Sequence, residues 1–253
     1  MNTDSAKRLI DYIEKRRPKG IKELSRVVSA YYLWKEIIPQ EIIEKHVLDL
    51  IVDSSRCYNS IRDIARACSA LIDAGIVYNS LIKRLEMGQS AGSWNCDVYD
   101  TSYALIALAD AGVYNKEGCV WLMDNFSSEW KHTGTVSLII TALSKQAQLD
   151  EHEIYSRFID DHSEWILSQR TENGGWKYLA TGNIALQALI YAGHCNKLQP
   201  SIQWLENETC RGQIDQDKMS TTSAALIMIS TGIYIRCIKN TKGPEQTISK
   251  NNI

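Results

Sequence analysis

The sequence shows neither an apolar N-terminal stretch nor a long apolar run. Its N-terminal stretch, MNTDSAKRLIDYIEKRRPKG, contains no continuous apolar region, so we predict no signal peptide. The apolar runs are short, as in AALIMI at residues 224–229, whereas a membrane-spanning helix needs about 20 apolar residues. We therefore predict no transmembrane segment.

The chain also has little net charge and no block of basic residues. The net charge is −2 over 253 residues, which provides no positive surface for a phosphate backbone, so we predict no nucleic acid partner. The seven cysteines are scattered and never occur as Cys-x-x-Cys. An odd, unpatterned set of cysteines without a signal peptide indicates reduced thiols and a cytoplasmic protein.

Proline and phenylalanine are scarce, with four and two residues, whereas tryptophan and tyrosine number seven and twelve. Few prolines, together with the absence of the period-two alternation of β-strands, favour helices. Trp and Tyr fill cores when their polar ends find partners, and they also form pockets whose π faces attract cations. The composition leaves both roles open.

A short motif of the form Leu-x-x-Ala-Gly recurs along the chain. It is found in SALIDAGIVYN (69–79), IALADAGVYNK (106–116) and QALIYAGHCNK (187–197), and a shorter form occurs in MISTGIYI (228–235). Its glycines are separated by 37, 81 and 39 residues. The long interval is close to two periods, and IITALSKQAQLD (139–150) occupies the place of the diverged copy. A fixed period near 40 residues is typical of stacked or circular supersecondary units.

Each repeat predicts a pair of helices. In TSYALIALADAG the apolar residues follow helical spacing, and Gly112 follows as a C-terminal stop that accepts a positive φ. Asp97 or Asp100 is expected to cap the start of this helix, and Ser220 or Thr221 the start of the last one. We predict eleven or twelve helices, at residues 4–16, 21–36, 40–52, 59–74, 79–87, 98–111, 117–126, 133–147, 151–169, 180–192, 199–206 and 219–236.

Six such hairpins predict an all-α fold, an (α/α)6 toroid or barrel with no β-sheet. An open stack would leave two apolar end faces, whereas a ring leaves none. The first two hairpins match the repeat poorly, so an open solenoid is the alternative. We predict one domain over residues 1–240, with clear repeats at 55–235, and a mobile polar tail at 241–253.

Two loops share a Gln, a spacer, a Gly and a Trp: QSAGSW (89–94) and QRTENGGW (169–176). This pattern resembles the QW motif of the prenyltransferase and squalene-cyclase repeat superfamily. The resemblance implies a toroid of inner and outer helices, with Trp94 and Trp176 as braces or wall residues. A third, degraded copy lies at 204–226.

Within that family, DVYDTSYALIAL resembles both the generic start of an inner helix and the acidic motif of class II terpene cyclases. On the second alignment Asp97 and Asp100 match the flanking acids, and Tyr99 stands in place of the proton-donating Asp. The resemblance implies a terpene cyclase-like enzyme, an isomerase or lyase, that protonates and cyclises a polyprenyl substrate. Asp100 would be the acid and Asp97 its charge partner, because two carboxylates in one desolvated site retain a proton. The structural alternative is that Asp100 caps the helix and Asp97 is solvated.

On the toroid model the starts of the inner helices meet at one rim. Further candidates for substrate binding there or on the cavity wall are Arg62, Asp63, Tyr103, His132 and Tyr178. Arg62 or His132 would bind a diphosphate, in which case Mg²⁺ would be required, and otherwise we predict no cofactor and no metal. Because carbocations need exclusion of water, a second copy, a separate subunit or a lid is expected to cover the rim.

Three other functions compete with the cyclase. A zinc prenyltransferase is disfavoured because Cys96-Asp97 has the wrong order and the predicted helix start MSTTSA (219–224) lacks a His. A sugar hydrolase would use two carboxylates such as Asp63 and Asp100. A toroid without catalysis that binds an isoprenoid, a lipid or a protein partner would explain the loss of the central Asp at Tyr99.

Overall fold

A computed structural model describes residues 3–56, 60–150, 153–211 and 219–241. Within these ranges the chain is all-helical and contains no strand, which confirms the all-α part of the prediction. The tail predicted at 241–253 lies outside the described residues beyond Thr241, where the last helix ends. The twelve α-helices are α1 Thr3–Arg16, α2 Gly20–Leu33, α3 Gln40–Arg56, α4 Ile61–Asp73, α5 Asn79–Met87, α6 Val98–Asp110, α7 Lys116–Asp124, α8 Thr133–Ala147, α9 Ser156–Ser168, α10 Leu179–Tyr191, α11 Gln199–Arg211 and α12 Thr221–Thr241.

The repeat glycines end three helices by the same backbone geometry. Gly75, Gly112 and Gly193 have φ values of 80°, 75° and 82°, a region that costs residues with a Cβ more than it costs glycine. After α4, the N–H of Ile76 donates to the carbonyl of Leu71 at 2.8 Å, as in a Schellman motif. Equivalent bonds follow α6 and α10. The predicted stops are confirmed.

The fourth repeat glycine has a different role. Gly232 lies inside α12, which continues to Thr241, so it does not end the helix. A Cβ at this position would lie 3.1 Å from the Cβ of Leu33 and 3.2 Å from Nε1 of Trp34. Gly232 therefore allows α12 to pack closely against the end of α2.

The even-numbered helices pack against one another in chain order, α2 to α12, and α12 packs against α2. They run parallel, because residues near their starts contact one another and so do residues near their ends. Arg62 of α4 binds Asp100 near the start of α6, and Lys145 of α8 binds Asp110 at the end of α6. The odd-numbered helices α3, α5, α7 and α9 each contact the two even-numbered helices that flank them in sequence.

The two QW-like loops are fixed by their tryptophans. The indole N–H of Trp94 donates to the carbonyl of Leu85 in α5 at 2.7 Å, and that of Trp176 donates to Ile166 in α9 at 3.2 Å. Both tryptophans are buried. A Cβ at Gly175 would lie 2.1 Å from the ring of Trp204, so the glycine permits this close contact. Each tryptophan thus ties the loop before an even-numbered helix to the preceding odd-numbered helix.

The first hairpins lack the repeat motif and are joined by a buried polar network instead. Glu14 of α1 accepts hydrogen bonds from Tyr31 of α2 at 2.7 Å and from Nε2 of His46 of α3 at 2.6 Å. Burial, reinforced by the hydrogen bond with Glu14, raises the pKa of Tyr31. Because removal of one partner would leave buried polar groups unsatisfied, the network fixes how α1, α2 and α3 pack together.

One sequence prediction about the cysteines is wrong. Cys195 and Cys237 form a disulfide that joins the turn after α10 to α12, although we expected reduced thiols. Their scattered positions gave no indication of the pairing, because it depends on the packing of α12 beside α10. Cys68, Cys96 and Cys119 carry free thiols, and burial raises the pKa of Cys68 and Cys119 to about 12.

Among the described residues, one segment is long and apolar enough to cross a bilayer. It is Thr221–Asn240 of α12, and 56% of its most apolar window is buried inside the protein. Because the buried core helix of a globular protein meets the same criteria, this segment alone is weak evidence for a membrane span.

We expect the disulfide to stabilise the fold by closing a loop of 42 residues in the unfolded chain. Replacing Cys237 with Ser should lower the free energy of unfolding by about 2–4 kcal/mol, measured by urea denaturation. A reducing agent should produce the same loss in the wild-type protein and no further loss in Cys237→Ser. Equal stability of the two proteins under oxidising conditions would show that the bond does not form.

Candidate functional site

The two acidic residues singled out by the sequence both bind Arg62 at the start of α6. Arg62 Nε donates to Asp100 Oδ1 at 2.5 Å, and Arg62 Nη2 donates to Asp97 Oδ1 at 2.8 Å. The side chain of Asp100 is 13% exposed and that of Asp97 is 36% exposed. Burial lowers the pKa of Arg62, but the hydrogen bond and charge of Asp100, with those of Asp97, outweigh it and raise the value.

Asp97 is the cap of α6, so the structural alternative assigned the two carboxylates in reverse. Its Oδ1 accepts hydrogen bonds from the N–H groups of Tyr99 and Asp100, both at 2.8 Å. Asp100 lies in the first helical turn, where its other carboxylate oxygen accepts from Asn95 at 2.8 Å. The spacing of three residues made both carboxylates reasonable caps, and only the backbone of the preceding loop decides between them.

Tyr99 points along the same rim toward the next helix. Its hydroxyl hydrogen-bonds Thr135 of α8 at 2.9 Å, and the guanidinium of Arg62 lies 5.1 Å from the centre of its ring. Tyr99 is 40% exposed. The candidates Asp97, Tyr99, Asp100 and Arg62 are therefore brought together, but in a hydrogen-bonded cluster in which Arg62 compensates both carboxylates.

The other rim candidates do not join this cluster. Asp63 binds Arg66 at 3.0 Å, whereas Asp100 binds Arg62. The two carboxylates considered for a sugar hydrolase therefore belong to different ion pairs. His132 and Tyr178 precede α8 and α10 without side-chain capping bonds, and both are exposed. The buried Trp94 and Trp176 are not among the residues that line the cavity described next, and their indole hydrogen bonds correspond to the brace role that was the other expectation.

A cavity of about 160 Å³ lies among the even-numbered helices. All six of these helices contribute to its wall, and Tyr103 is the one lining residue that the sequence had indicated. Most of the lining surface is apolar, and the charged and polar groups are set into it. The lining residues are Ser25, Arg26, Ser29, Arg66, Ser69, Asp73, Tyr103, Ile106, Asp110, Leu138, Thr141, Lys145, Ile184, Gln187, Tyr191, Leu226 and Ile229.

The lining residues fall into layers that the repeat could have revealed. The layer near the helix ends uses the residue two positions before three of the four repeat glycines, and it contains Asp73, Asp110 and Tyr191. In the diverged copy, Lys145 occupies the matching position. A polar residue at one repeat position is therefore a sign of convergence on the cavity, because equivalent residues of the packed repeats line it together. We name this group the C-terminal layer.

An ion pair and an aromatic ring stabilise the cation of the C-terminal layer. Lys145 binds Asp110, and its Nζ lies 4.6 Å from the centre of the Tyr191 ring. Burial alone would lower the pKa of Lys145, but the charges of Tyr191 and Asp110 and the bond to Asp110 raise it. Lys145 is therefore a fixed positive charge in this layer at neutral pH.

Asp73 is the residue of the C-terminal layer whose charge changes near neutral pH. Desolvation, followed by the nearby charge of Asp110, raises its pKa from 3.8 to about 6, while a hydrogen bond from Ser29 and the charge of Lys145 oppose the change. The Asp73 residue is nevertheless exposed to solvent, so hydration limits the size of the change. The cavity therefore holds a carboxyl group that binds and releases a proton in a physiological pH range.

Two arginines and a tyrosine form a second charged layer, nearer the middle of the helices. Arg26 and Arg66 both hydrogen-bond Tyr103, and the Arg66 guanidinium lies 4.5 Å from the centre of the Tyr103 ring. Burial raises the pKa of Tyr103, but the positive charges of Arg66 and Arg26 outweigh it, so the net change is a decrease. We name Arg26, Arg66 and Tyr103 the middle layer.

Comparison with known proteins does not identify a relative. The chain matches no protein-family model, and no curated protein matches it. Among the described residues there is also no group of three or more His, Cys, Asp or Glu side chains that could hold a metal ion. The family resemblance of the QW-like loops thus remains a hypothesis, and the geometry of the site has to support any function.

The cap assignment gives a direct test of what the acidic motif does. Asp97→Ala should lower the free energy of unfolding by about 1 kcal/mol, because the N–H groups of Tyr99 and Asp100 lose their acceptor. Asp97→Asn should retain most of the stability, since Asn caps nearly as well. Urea denaturation of both variants measures this difference. Equal losses of stability in the two variants would indicate that the ion pair of Asp97 with Arg62 contributes more than the cap.

The raised pKa of Asp73 predicts a pH dependence of stability. Because its folded pKa of about 6 exceeds its unfolded value of 3.8, its contribution to stability is complete below 3.8 and is lost as the pH rises through 6. Asp73→Asn should therefore melt at a higher temperature than wild type at pH 8 and at a similar temperature at pH 3.5. Thermal melts of both proteins across this pH range measure the difference in stability, and carbon NMR of the Asp73 carboxyl group measures its pKa. A measured pKa near 4 for Asp73 would contradict the prediction.

Proposed function

We propose that this protein is an (α/α)6 toroid that binds a small polar molecule in the cavity along its axis. The observation that carries the proposal is the lining of this cavity by all six even-numbered helices. Cavities with convergent polar groups and a titratable residue are the usual ligand sites of helical folds. The proposal therefore places the site in the cavity and not at the acidic rim.

The contacts between helices support the toroid. The even-numbered helices contact one another in sequence, and the contact of α12 with α2 completes the cycle. The indole of Trp34 in the turn after α2 donates to the carbonyl of Met228 in α12 at 2.9 Å, so a directional bond accompanies the packing. An open solenoid would leave its first and last repeats apart.

The size of the cavity and the charged groups on its wall favour a small ligand over a polyprenyl chain. A volume of about 160 Å³ is below the roughly 300–1,000 Å³ of typical ligand pockets. An isoprenoid would also place apolar carbons against Arg26, Asp73 and Lys145, which would lose hydration without gaining partners. A polar molecule can satisfy these groups.

The terpene cyclase-like reaction is the second candidate, and one observation favours it. Asp73 lies in the cavity with a raised pKa, and protonation of an alkene requires a carboxyl that still carries its proton. Asp100, the acid suggested by the sequence resemblance, accepts hydrogen bonds from Arg62 and Asn95 at the rim, outside this cavity. In this candidate a second copy, a separate subunit or a lid would exclude water from the rim.

The binding proposal is tested by filling the cavity. Ile106 lines the cavity, so Ile106→Trp should reduce the space available to a ligand. We expect small polar metabolites that raise the melting temperature of the wild-type protein to have little effect on Ile106→Trp. If Ile106→Trp does not fold, Ile184→Phe can replace it in the same measurement, because it adds less volume and Ile184 lines another side of the cavity. Ligands that stabilise wild type and filled variants equally must bind elsewhere and would contradict the proposal.

Incubation with farnesyl diphosphate, geranylgeranyl diphosphate and squalene separates the two candidates. The binding proposal expects mass spectrometry to detect no cyclised product. A product that is lost in Asp100→Asn, with an unchanged melting temperature, would establish the cyclase and its acid at the rim. A product that is lost in Asp73→Asn instead would establish a cyclase that uses the cavity carboxyl.

A further inference from the structure

The middle layer contains more positive charge than its protein partners compensate. Arg66 binds Asp63 through Nη1, but its Nε is buried and has no hydrogen-bond partner. Arg26 hydrogen-bonds the phenol of Tyr103, and no ion pair joins it to a carboxylate among the described residues. Two guanidinium groups therefore share one carboxylate and one phenol inside a cavity.

This arrangement is costly for the protein without a ligand. Burial lowers the pKa of Arg26, and the neighbouring charge of Arg66 lowers it further, while Tyr103 acts in the opposite direction. Buried charges in proteins are normally paired, because an unpaired charge loses its hydration without compensation. A pair of like charges held in a cavity at this cost indicates a site for an ion of the opposite sign.

We propose that the cavity binds a small hydroxylated oxyanion, a carboxylate or a phosphate ester, whose anionic group is held by Arg26 and Arg66. Guanidinium groups offer forked N–H donors that match the oxygens of both anions. This inference rests on the proposed function, since it identifies the chemical class of the ligand that the cavity would bind.

The rest of the wall explains why the ligand should carry hydroxyl groups. The layer between the two charged layers presents the hydroxyls of Ser29, Ser69 and Thr141 and the amide of Gln187. Beyond it, Asp73 accepts a hydrogen bond from Ser29 and can accept another from a ligand. Thr141 and Gln187 already donate to Ser137 and Ser230, but their oxygens can still accept hydrogen bonds, so a chain of hydroxyl-bearing carbons fits this wall better than an apolar tail.

The orientation of the ligand follows from the distance between the charged layers. Arg66 and Asp73 lie seven residues apart on α4, which corresponds to about 10 Å along the helix axis. The anion would lie at the middle layer, and its hydroxyl groups would extend toward the C-terminal layer. The reverse orientation would place the anion beside Asp73 and Asp110, where like charges repel it.

The test uses three probes that share a three-carbon skeleton: glycerate, glycerol 3-phosphate and uncharged glycerol. Isothermal titration calorimetry at constant ionic strength should detect binding of at least one of the two anions and none of glycerol. Comparison of glycerate with glycerol 3-phosphate shows which anionic group the site prefers. Failure of both anions to bind at millimolar concentrations would overturn the inference.

Variants locate the binding. Arg26→Met should weaken anion binding roughly tenfold or more, because bonds to charged groups are lost, while it raises the melting temperature of the unliganded protein. Arg66→Met serves if that variant does not fold. The matched control is Arg157→Met, because Arg157 is 94% exposed on α9 and should leave both properties unchanged.

The variants also separate this inference from the proposed function. Anions that bind Arg26→Met as tightly as wild type but fail to bind Ile106→Trp would overturn the inference and leave the cavity as the binding site. If glycerol binds as tightly as the anions, the inference of an anion site is likewise overturned, and the proposal that the cavity binds a small polar molecule remains. Anions that bind Ile106→Trp and wild type equally would contradict both, because binding would then lie outside the cavity.

Discussion

The contact between α12 and α2 is the constraint on which the rest of the structure depends. It brings the last repeat against the first hairpins, although those hairpins lack the repeat motif. Gly232 permits the close approach to Leu33, and Trp34 adds a hydrogen bond to Met228. Once this contact forms, polar side chains from six helices face one another across the cavity. Each charged side chain then needs a partner of opposite charge or a hydrogen bond. The proposed binding site is a consequence of that convergence.

Features that depend on local sequence could be predicted, and those that depend on the packing of distant repeats could not. Gly75, Gly112 and Gly193 stop their helices because a positive φ is a local requirement. The cavity was missed because Asp73 and Lys145 belong to repeats whose side chains meet only after the helices pack. The disulfide of Cys195 with Cys237 was missed for the same reason.

The rim and the cavity differ in how their charges are compensated, and this difference decides where function is expected. At the rim, Arg62 binds both Asp97 and Asp100, and the caps and hydrogen bonds explain why each residue is there. In the middle layer, Arg26 has a phenol as its partner. The acidic sequence motif belongs to the rim cluster, whose charges are compensated. The middle layer, whose charges are not compensated, has no recognisable motif and is defined only by the packing of the helices around it.

The parallel direction of the even-numbered helices gives the two ends of the cavity opposite electrical character. Each helix contributes about half a positive charge at its N-terminal end and half a negative charge at its C-terminal end. Because the helices are parallel, these charges add, so the potential changes sign from one end of the cavity to the other. An anion would be attracted by the end nearer the helix N-termini and repelled by the end nearer Asp73 and Asp110, before it contacts any side chain.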